Sequence, residues 1–107
     1  MKILSRQEEI ILTAIWKLQD NAYGMAIREE IEKITGLKMH FGSIYTPLAR
    51  LLEKDLISSY EGEPSPERGG RRKVFYNLSN EGKKALIEIH KIETALRANM
   101  PSLEIEK

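Results

Sequence analysis

The stretch "EPSPERGG", near the middle of the chain, limits the possible folds more than any other segment. Two prolines and two adjacent glycines within so few residues exclude a helix or a central strand there. The runs on either side, "LISSYEGE" and "RKVFYNLS", are rich in β-branched and aromatic residues, and the second alternates Val74, Tyr76 and Leu78 against Phe75. The segment therefore predicts a long loop that joins the two strands of a hairpin.

Three helical patterns precede this hairpin. The first, "SRQEEIILTAIWKLQD", starts with Ser5 as N-cap and Glu8 at the spacing of a capping box. The second, "MAIREEIEKITG", turns three isoleucines inward, of which Ile34 is the last, and stops at Gly36. The third, "SIYTPLARLLEKD", carries Pro47, which a helix tolerates best within its first turn.

One further helix follows the hairpin. Ser79 is the expected N-cap of "NEGKKALIEIHKIETALRANM", Glu81 suits its first turn, and Pro101 is expected to end it. Three helices, a two-stranded ribbon and a last helix are the plan of a winged helix-turn-helix. The predicted fold is mainly α with a small two-stranded β-wing, divided into a winged helix-turn-helix domain (1–79) and a C-terminal dimerisation helix with a short tail (80–107).

The last helix is too long for so small a core, so its apolar stripe is expected to bury against a second copy. A very wide apolar stripe on the first helix supplies the complementary surface. The predicted dimerisation residues are Ile10, Ala14, Leu86, Ile89, Ile92, Leu96 and Met100. A two-fold dimer would set two recognition helices about one DNA turn apart. Packing of the whole stripe within one subunit is the alternative.

The outer face of the third helix and the hairpin loop are the candidate DNA-binding surfaces. Short hydroxyl side chains and one arginine near a helix N-terminus suit work in the major groove. The net charge is only +1, yet four of the seven basic residues between positions 38 and 78 fall within six positions of the loop. Cations held out by such a loop can neutralise phosphates. The predicted DNA-binding residues are Ser43, Tyr45, Thr46, Arg50, Arg68, Arg71, Arg72 and Lys73. A merely solubilising hairpin, or a winged helix that binds a protein, remains open.

Nothing in the sequence has the pattern of an enzyme. His40 and His90 lie far apart and outside any HExxH-like spacing, there is no cysteine, and acid pairs such as Glu8–Glu9 are interpreted as solvated helix faces. No cofactor or metal site is expected. The chain has no run of about 18 apolar residues and no signal-peptide core, so we expect a cytoplasmic protein with no membrane contact.

Two segments, "GSIYTPLARLLEKDLISSYEGE" and "GGRRKVFYNLSNEGKKAL", resemble the PadR family of bacterial transcriptional regulators. The shared pattern is a Gly-x-x-Tyr helix with a Leu-x-x-Leu core, a Gly-Leu-Ile strand, a Gly-Arg-x-Arg-Lys-x-Tyr wing and a Leu-Thr-x-x-Gly helix start. The matching residues are Gly42, Tyr45, Leu48, Leu51, Leu56, Ile57, Gly70, Arg72, Lys73, Tyr76, Leu78, Glu81 and Gly82. The segment "YGMAIREEIEKITG" also resembles the second helix of the family.

This resemblance implies a homodimeric winged-helix repressor that binds a palindromic operator and is often released by a small-molecule effector. It also implies that Tyr45 and the wing cations face DNA. Asp55 stands where the family often has glycine, and Pro47 lies one place after the family's usual proline. The last helix is single, as in the short branch of the family, and has no aromatic residue. Trp16 is therefore the candidate aromatic platform for a ligand, although core or dimer packing explains it better.

Overall fold

The computed structural model describes residues 4–40, 42–64, 69 and 72–106. Within these residues the chain forms α1 (Arg6–Leu18), α2 (Gly24–Thr35), α3 (Gly42–Glu53), β1 (Ile57–Pro64), β2 (Arg72–Leu78) and α4 (Asn80–Arg97). A short 3₁₀ turn, Gln19–Asn21, lies between α1 and α2. The two strands pair antiparallel, and they form, with the segment between them, the wing. The predicted winged-helix order of elements is confirmed.

Side-chain caps start the first and last helices, as the sequence predicts. The Ser5 hydroxyl accepts a hydrogen bond from the Glu8 backbone N–H at 3.1 Å, and the Glu8 carboxylate accepts one from the Ser5 backbone N–H at 2.9 Å. At α4, the Ser79 hydroxyl accepts a bond from the Gly82 N–H at 3.0 Å. These bonds satisfy N–H groups that have no partner inside a helix.

Two helices end earlier than the sequence predicts. We expected α4 to reach Met100, but it ends at Arg97, and Asn99 has a left-handed φ of 58°. The first helix ends at Leu18, where Gln19 adopts a φ of 52°. The positive φ of Gln19 interrupts the hydrogen-bond ladder of α1, whereas α4 ends because Ala98 takes an extended backbone with a ψ of 132° before the left-handed Asn99.

The core lies between α1, α2 and α3, and the start of β1 closes it. Its fully buried large side chains are Ile11, Leu12, Ile15, Ile27, Ile31, Ile44, Leu48 and Leu51. Ile34 was expected inside but is 43% exposed. It has the right helical spacing, but it lies in the last turn of α2, beside an open cleft along α1. Gly36, with a φ of 74°, ends α2 as predicted.

The wing is joined to the segment that precedes α2. The Tyr76 backbone N–H donates to the Ala22 carbonyl at 2.8 Å, and Tyr23 forms an isolated antiparallel bridge with Phe75. Tyr60 pairs with Phe75 across the two strands, and the register shifts between Glu61 and Pro64. The base of the wing therefore has a fixed position relative to α2.

Ser79 ties the start of α4 to the turn between α3 and β1. Its hydroxyl donates to the Asp55 carbonyl at 2.6 Å, and its backbone N–H donates to the Leu56 carbonyl at 3.0 Å. Asp55 has a φ of 59°, in the left-handed region that glycine adopts without strain. At Gly82 a Cβ atom would overlap the Leu56 carbonyl oxygen. The glycine thus allows the first turn of α4 to pack directly on the backbone of that turn.

Candidate nucleic-acid interface

Helix α3 presents a polar face to solvent. Ile44, Leu48 and Leu51 are buried in the core, while the side chains on the opposite face are exposed, as their spacing predicts. The exposed set comprises Ser43, Tyr45, Thr46, Arg50 and Glu53. Hydroxyl groups and a guanidinium on one solvent-facing side of a helix can donate to base edges and to phosphate oxygens.

Pro47 lies deeper in α3 than the sequence interpretation allowed. The helix begins at Gly42, so Pro47 is its sixth residue, and its ring is buried. A proline has no N–H to donate to the carbonyl four residues earlier, so the Ser43 carbonyl lacks its usual helical partner. Ser43 is an exposed residue. The proline therefore costs α3 one hydrogen bond near its N-terminus, at a residue that lies outside the core.

Contacts at both ends hold α3 in position. Before the helix, the Arg28 Nε donates to the Met39 carbonyl at 2.6 Å, and the Ser43 N–H donates to the His40 carbonyl at 3.0 Å. After it, the Lys54 ammonium lies 2.5 Å from the Glu8 carboxylate on α1. The polar face of α3 is therefore presented by a helix that is tied to both α1 and α2.

Glu8 is not the solvated acid that the sequence indicated. It is only 4% exposed. Burial by itself would raise the pKa of its carboxyl group, but the hydrogen bond from Lys54 and the bonds from Ser5 outweigh burial and hold the pKa below its usual value. The capping-box spacing correctly predicted the contact between Ser5 and Glu8. Nothing in the local sequence indicates Lys54, which lies 46 positions away.

Tyr45 lies over the beginning of α2. A Cβ atom at Gly24 would come within 2.5 Å of the Tyr45 hydroxyl oxygen, so the ring occupies space that only glycine leaves open. Tyr45 also lies near Tyr76 of the wing, and burial, followed by the proximity of Tyr45, raises the pKa of the Tyr76 hydroxyl. The sequence placed Tyr45 at the edge of α3, and the structure shows what this edge contacts.

A small cleft joins α2, α3 and the wing. Its volume is about 110 Å³, and it is bounded by the first residues of α2, by Tyr45, and by β2. Arg72, Val74 and Tyr76 alternate along β2, so they share one face of the strand. Tyr76 is buried at the base, whereas Arg72 is exposed at the outer end. The strand period therefore places the Arg72 side chain on the same side of the wing as Tyr45.

Lys73 has a different environment from its neighbour. Its ammonium lies 4.1 Å from the centroid of the Tyr23 ring, a cation–π distance. The Tyr23 ring meets Phe75 edge-on at 5.7 Å, and Phe75 stacks on Tyr60 at 5.4 Å. A Cβ atom at Gly62 would come within 2.5 Å of the Phe75 ring, so this glycine leaves room for the stack. Sequence reasoning missed this aromatic cluster, although a glycine inside a strand was the available signal.

The remaining predicted site residues differ in accessibility. Arg68 and Arg71 lie outside the described residues. Of the predicted dimerisation residues, Leu96 and Met100 are exposed, while Ile10, Leu86, Ile89 and Ile92 are half-buried. Ala14 is fully buried in the core of the single chain. Its side chain therefore has no free surface to offer a second copy.

Among the residues that the structure describes, no three or more His, Cys, Asp or Glu side chains are grouped so that they could hold a metal ion. No helix among the same residues is long and apolar enough to cross a membrane.

The sequence matches one protein-family model, described as the transcriptional regulator PadR-like family, over residues 11–88. The matched region includes α3 and both strands of the wing. No curated protein matches the chain.

Several solved structures share the fold. A PadR family transcription regulator from hypervirulent Clostridium difficile R20291 is 36% identical, with 83% of this chain and 88% of that chain covered and a TM-score of 0.64. A PadR-like transcription factor from Bacteroides fragilis is 27% identical, covers 84% of this chain and 82% of its own, and has a TM-score of 0.72. A winged-helix DNA-binding protein from STIV shares the fold at 21% identity, with 94% of this chain and 100% of that chain covered and a TM-score of 0.68.

Proposed function

The chain belongs to the PadR-like family of transcriptional regulators, and from this premise we propose that it is a sequence-specific repressor that binds DNA as a homodimer in the cytoplasm. The observation that carries the proposal is the common orientation of two surfaces. The polar face of α3 and the exposed end of β2 meet at the cleft beside Tyr45. A duplex that lies along one of these surfaces also reaches the other.

In the proposed complex, α3 enters the major groove. Arg50 can donate two hydrogen bonds to a guanine edge, and Thr46 can contact a base edge or a thymine methyl group. Ser43 and the Tyr45 hydroxyl are placed near the start of the helix, where they suit backbone phosphates. Arg50 and Thr46 therefore determine sequence preference, whereas Ser43 and Tyr45 fix the register of the helix on the duplex.

The wing supplies phosphate contacts in this proposal. Arg72 is exposed on the side of the wing that faces Tyr45, and we extend the same role to Arg68 and Arg71 from their positions in the sequence. Lys73 acts mainly as a positioning residue, because its ammonium already contacts the Tyr23 ring. It joins the wing to the residue that precedes α2, and thus sets where Arg72 meets the duplex.

The dimer is proposed from exposed apolar residues in the last turn of α4 and just after it. Leu96 and Met100 are large apolar side chains beyond the core of the single chain, and they gain from burial against a second copy. A two-fold axis near them would present two α3 helices to half-sites about one DNA turn apart, and the operator would be palindromic. A small-molecule effector would release DNA by favouring a dimer in which this spacing no longer matches.

The proposal is tested by selecting binding sites from a random duplex pool and measuring their affinity by fluorescence anisotropy. We expect the selected duplex to bind roughly a thousandfold more tightly than a scrambled one at physiological salt. Arg50→Ala should reduce this preference, while Lys84→Ala, which removes an exposed cation on α4, should leave it unchanged. Equal affinity for selected and scrambled duplexes would refute specific DNA binding and would favour a winged helix that binds another protein.

A further inference from the structure

The first turn of α2 has backbone donors without partners. Gly24, Met25 and Ala26 are its first three residues, and none of their N–H groups donates a hydrogen bond within the part of the chain that the structure describes. The N-cap residue is Tyr23, whose side chain makes no capping bond. Gly24 and Ala26 are nevertheless buried residues. Buried N–H groups without a partner are rare in folded proteins, and at a helix N-terminus they attract anions.

A buried hydroxyl without a partner lies in the same region. The Tyr76 side chain is only 7% exposed and lines the cleft between α2, α3 and the wing. Its hydroxyl makes no hydrogen bond to any residue that the structure describes. Burial, followed by the proximity of Tyr45, raises the pKa of this hydroxyl, which therefore stays protonated and can donate. A buried donor that is left unpaired costs free energy, so a ligand that pairs with it is stabilised.

The remainder of this cleft, which we call the α2 cleft, is positively charged. Arg72 and Lys73 belong to its lining, and the Lys73 ammonium lies 4.1 Å from the centroid of the Tyr23 ring. Among the described residues that line the cleft, none is acidic. Its volume of about 110 Å³ is several times the roughly 30 Å³ that one water molecule occupies in the liquid. The α2 cleft therefore has room for a small anion and no negative charge to repel it.

We propose that the α2 cleft binds one phosphate group. The N–H groups of Gly24 and Met25 and the Tyr76 hydroxyl donate to its oxygens, while Arg72 and Lys73 balance its charge. The phosphate belongs either to the backbone of DNA, in which case the inference rests on the proposed function, or to inorganic phosphate in solution. A backbone phosphate held there would fix the start of α2 on the strand that α3 reads. Free phosphate would compete with the duplex for the same cleft.

The first arm of the test uses inorganic phosphate as the probe. The isotope-labelled full chain is titrated with sodium phosphate, and its amide signals are compared with those in a titration with sodium chloride at equal ionic strength. We expect the N–H signals of Gly24, Met25 and Ala26 to move to lower field and to saturate with phosphate only, because an N–H that donates to an anion is deshielded. Shifts that chloride reproduces would argue against a site for free phosphate.

Tyr76→Phe removes the buried hydroxyl and leaves the ring in place. It deletes one hydrogen bond to a charged group, so phosphate affinity should fall by about tenfold or more. In phosphate-free buffer the Tm should not fall, because this hydroxyl has no partner to lose, whereas a hydroxyl with a structural role would lower it. Tyr60→Phe is the matched control and should change neither quantity. Tyr60 pairs with Phe75, lies on the other face of the wing and does not line the α2 cleft.

The second arm identifies the source of the phosphate. Each phosphate of the selected duplex is replaced in turn by an uncharged methylphosphonate, and the affinities of the wild type and of Tyr76→Phe are measured by fluorescence anisotropy. If the α2 cleft holds a backbone phosphate, one position in each half-site should weaken binding of the wild type by about tenfold and binding of Tyr76→Phe clearly less. Such coupling is expected of two groups in direct contact.

The outcomes separate this site from the proposed function. Saturable amide shifts that Tyr76→Phe weakens support the site, and coupling to one backbone position assigns it to DNA, while no coupled position assigns it to free phosphate. Coupling without shifts supports a site for DNA phosphate alone. If neither arm gives a signal while the selected duplex still binds specifically, the phosphate site is wrong and the proposed function stands. Saturable shifts in a protein that prefers no duplex refute the proposed function and retain the site.

Discussion

Replacing Gly82 by alanine should destabilise the protein strongly, although alanine is the better helix former by about 1 kcal/mol. Gly82 is the third residue of α4, and a Cβ atom there would overlap the Leu56 carbonyl oxygen and come within 3.1 Å of the carbonyl carbon. Both contacts are with backbone, so no side chain can rotate away. The first turn of α4 must instead move off the turn between α3 and β1.

The cost follows from the bonds that this movement disturbs. The Ser79 hydroxyl donates to Asp55 at 2.6 Å, the Ser79 N–H donates to Leu56 at 3.0 Å, and the Gly82 N–H donates to Ser79 at 3.0 Å. Each such bond contributes about 1 kcal/mol, and overpacking adds about 1–3 kcal/mol. After the gain in helix propensity is subtracted, we expect the free energy of unfolding to fall by about 3–5 kcal/mol.

The assay is urea and thermal unfolding followed by circular dichroism, at one fixed protein concentration because dimerisation would otherwise change the apparent stability. A loss of about 3–5 kcal/mol should lower the Tm by more than about 10 °C. The matched control is Gly42→Ala at the first residue of α3, where no atom lies within 4 Å of the new Cβ. That variant should be as stable as the wild type or slightly more stable. If Gly82→Ala behaves like Gly42→Ala, the close packing of α4 on Leu56 is wrong.

Three further predictions concern single side chains. Lys54→Met should lower the free energy of unfolding by about 1–2 kcal/mol at pH 7. The lowered pKa of the Glu8 carboxyl stabilises the folded state above the usual pKa of 4.5, and this stability is lost as the pH falls through the lowered pKa. The difference between variant and wild type should therefore shrink when unfolding is measured near pH 3. In salt titrations of DNA binding, Arg72→Gln should reduce the slope of log K against log salt concentration by about 1.8, which is 0.9 for each copy in a dimer. Lys73→Met should weaken binding with a smaller change in slope, and equal slopes for the two variants would refute their different roles. Asp55→Gly should raise the free energy of unfolding by about 0.5–1 kcal/mol in urea titrations, because glycine adopts the left-handed φ without strain, and a loss of stability would contradict this.

The agreement between sequence and structure is best where the interaction is local. Ser5 with Glu8, and Ser79 with Gly82, are partners three residues apart, so the spacing alone identifies them. The helical spacing of the apolar residues likewise placed the exposed face of α3, and strict alternation placed the strands of the wing. The early end of α4 was missed because Ala98, a residue type with high helix propensity, takes an extended backbone there.

By itself the amino-acid sequence determined the order of the elements, the caps of α1 and α4, and the outward face of α3, since each depends on neighbours within about one helical turn or one strand. The tertiary structure decided which equivalent-looking residues have different environments. Glu8 is buried and pairs with Lys54, which follows α3 and lies 46 positions away. Lys73 contacts the Tyr23 ring, whereas its neighbour Arg72 is exposed at the outer end of β2. Burial and charge pairing depend on what covers a residue, and the covering element lies far away along the chain.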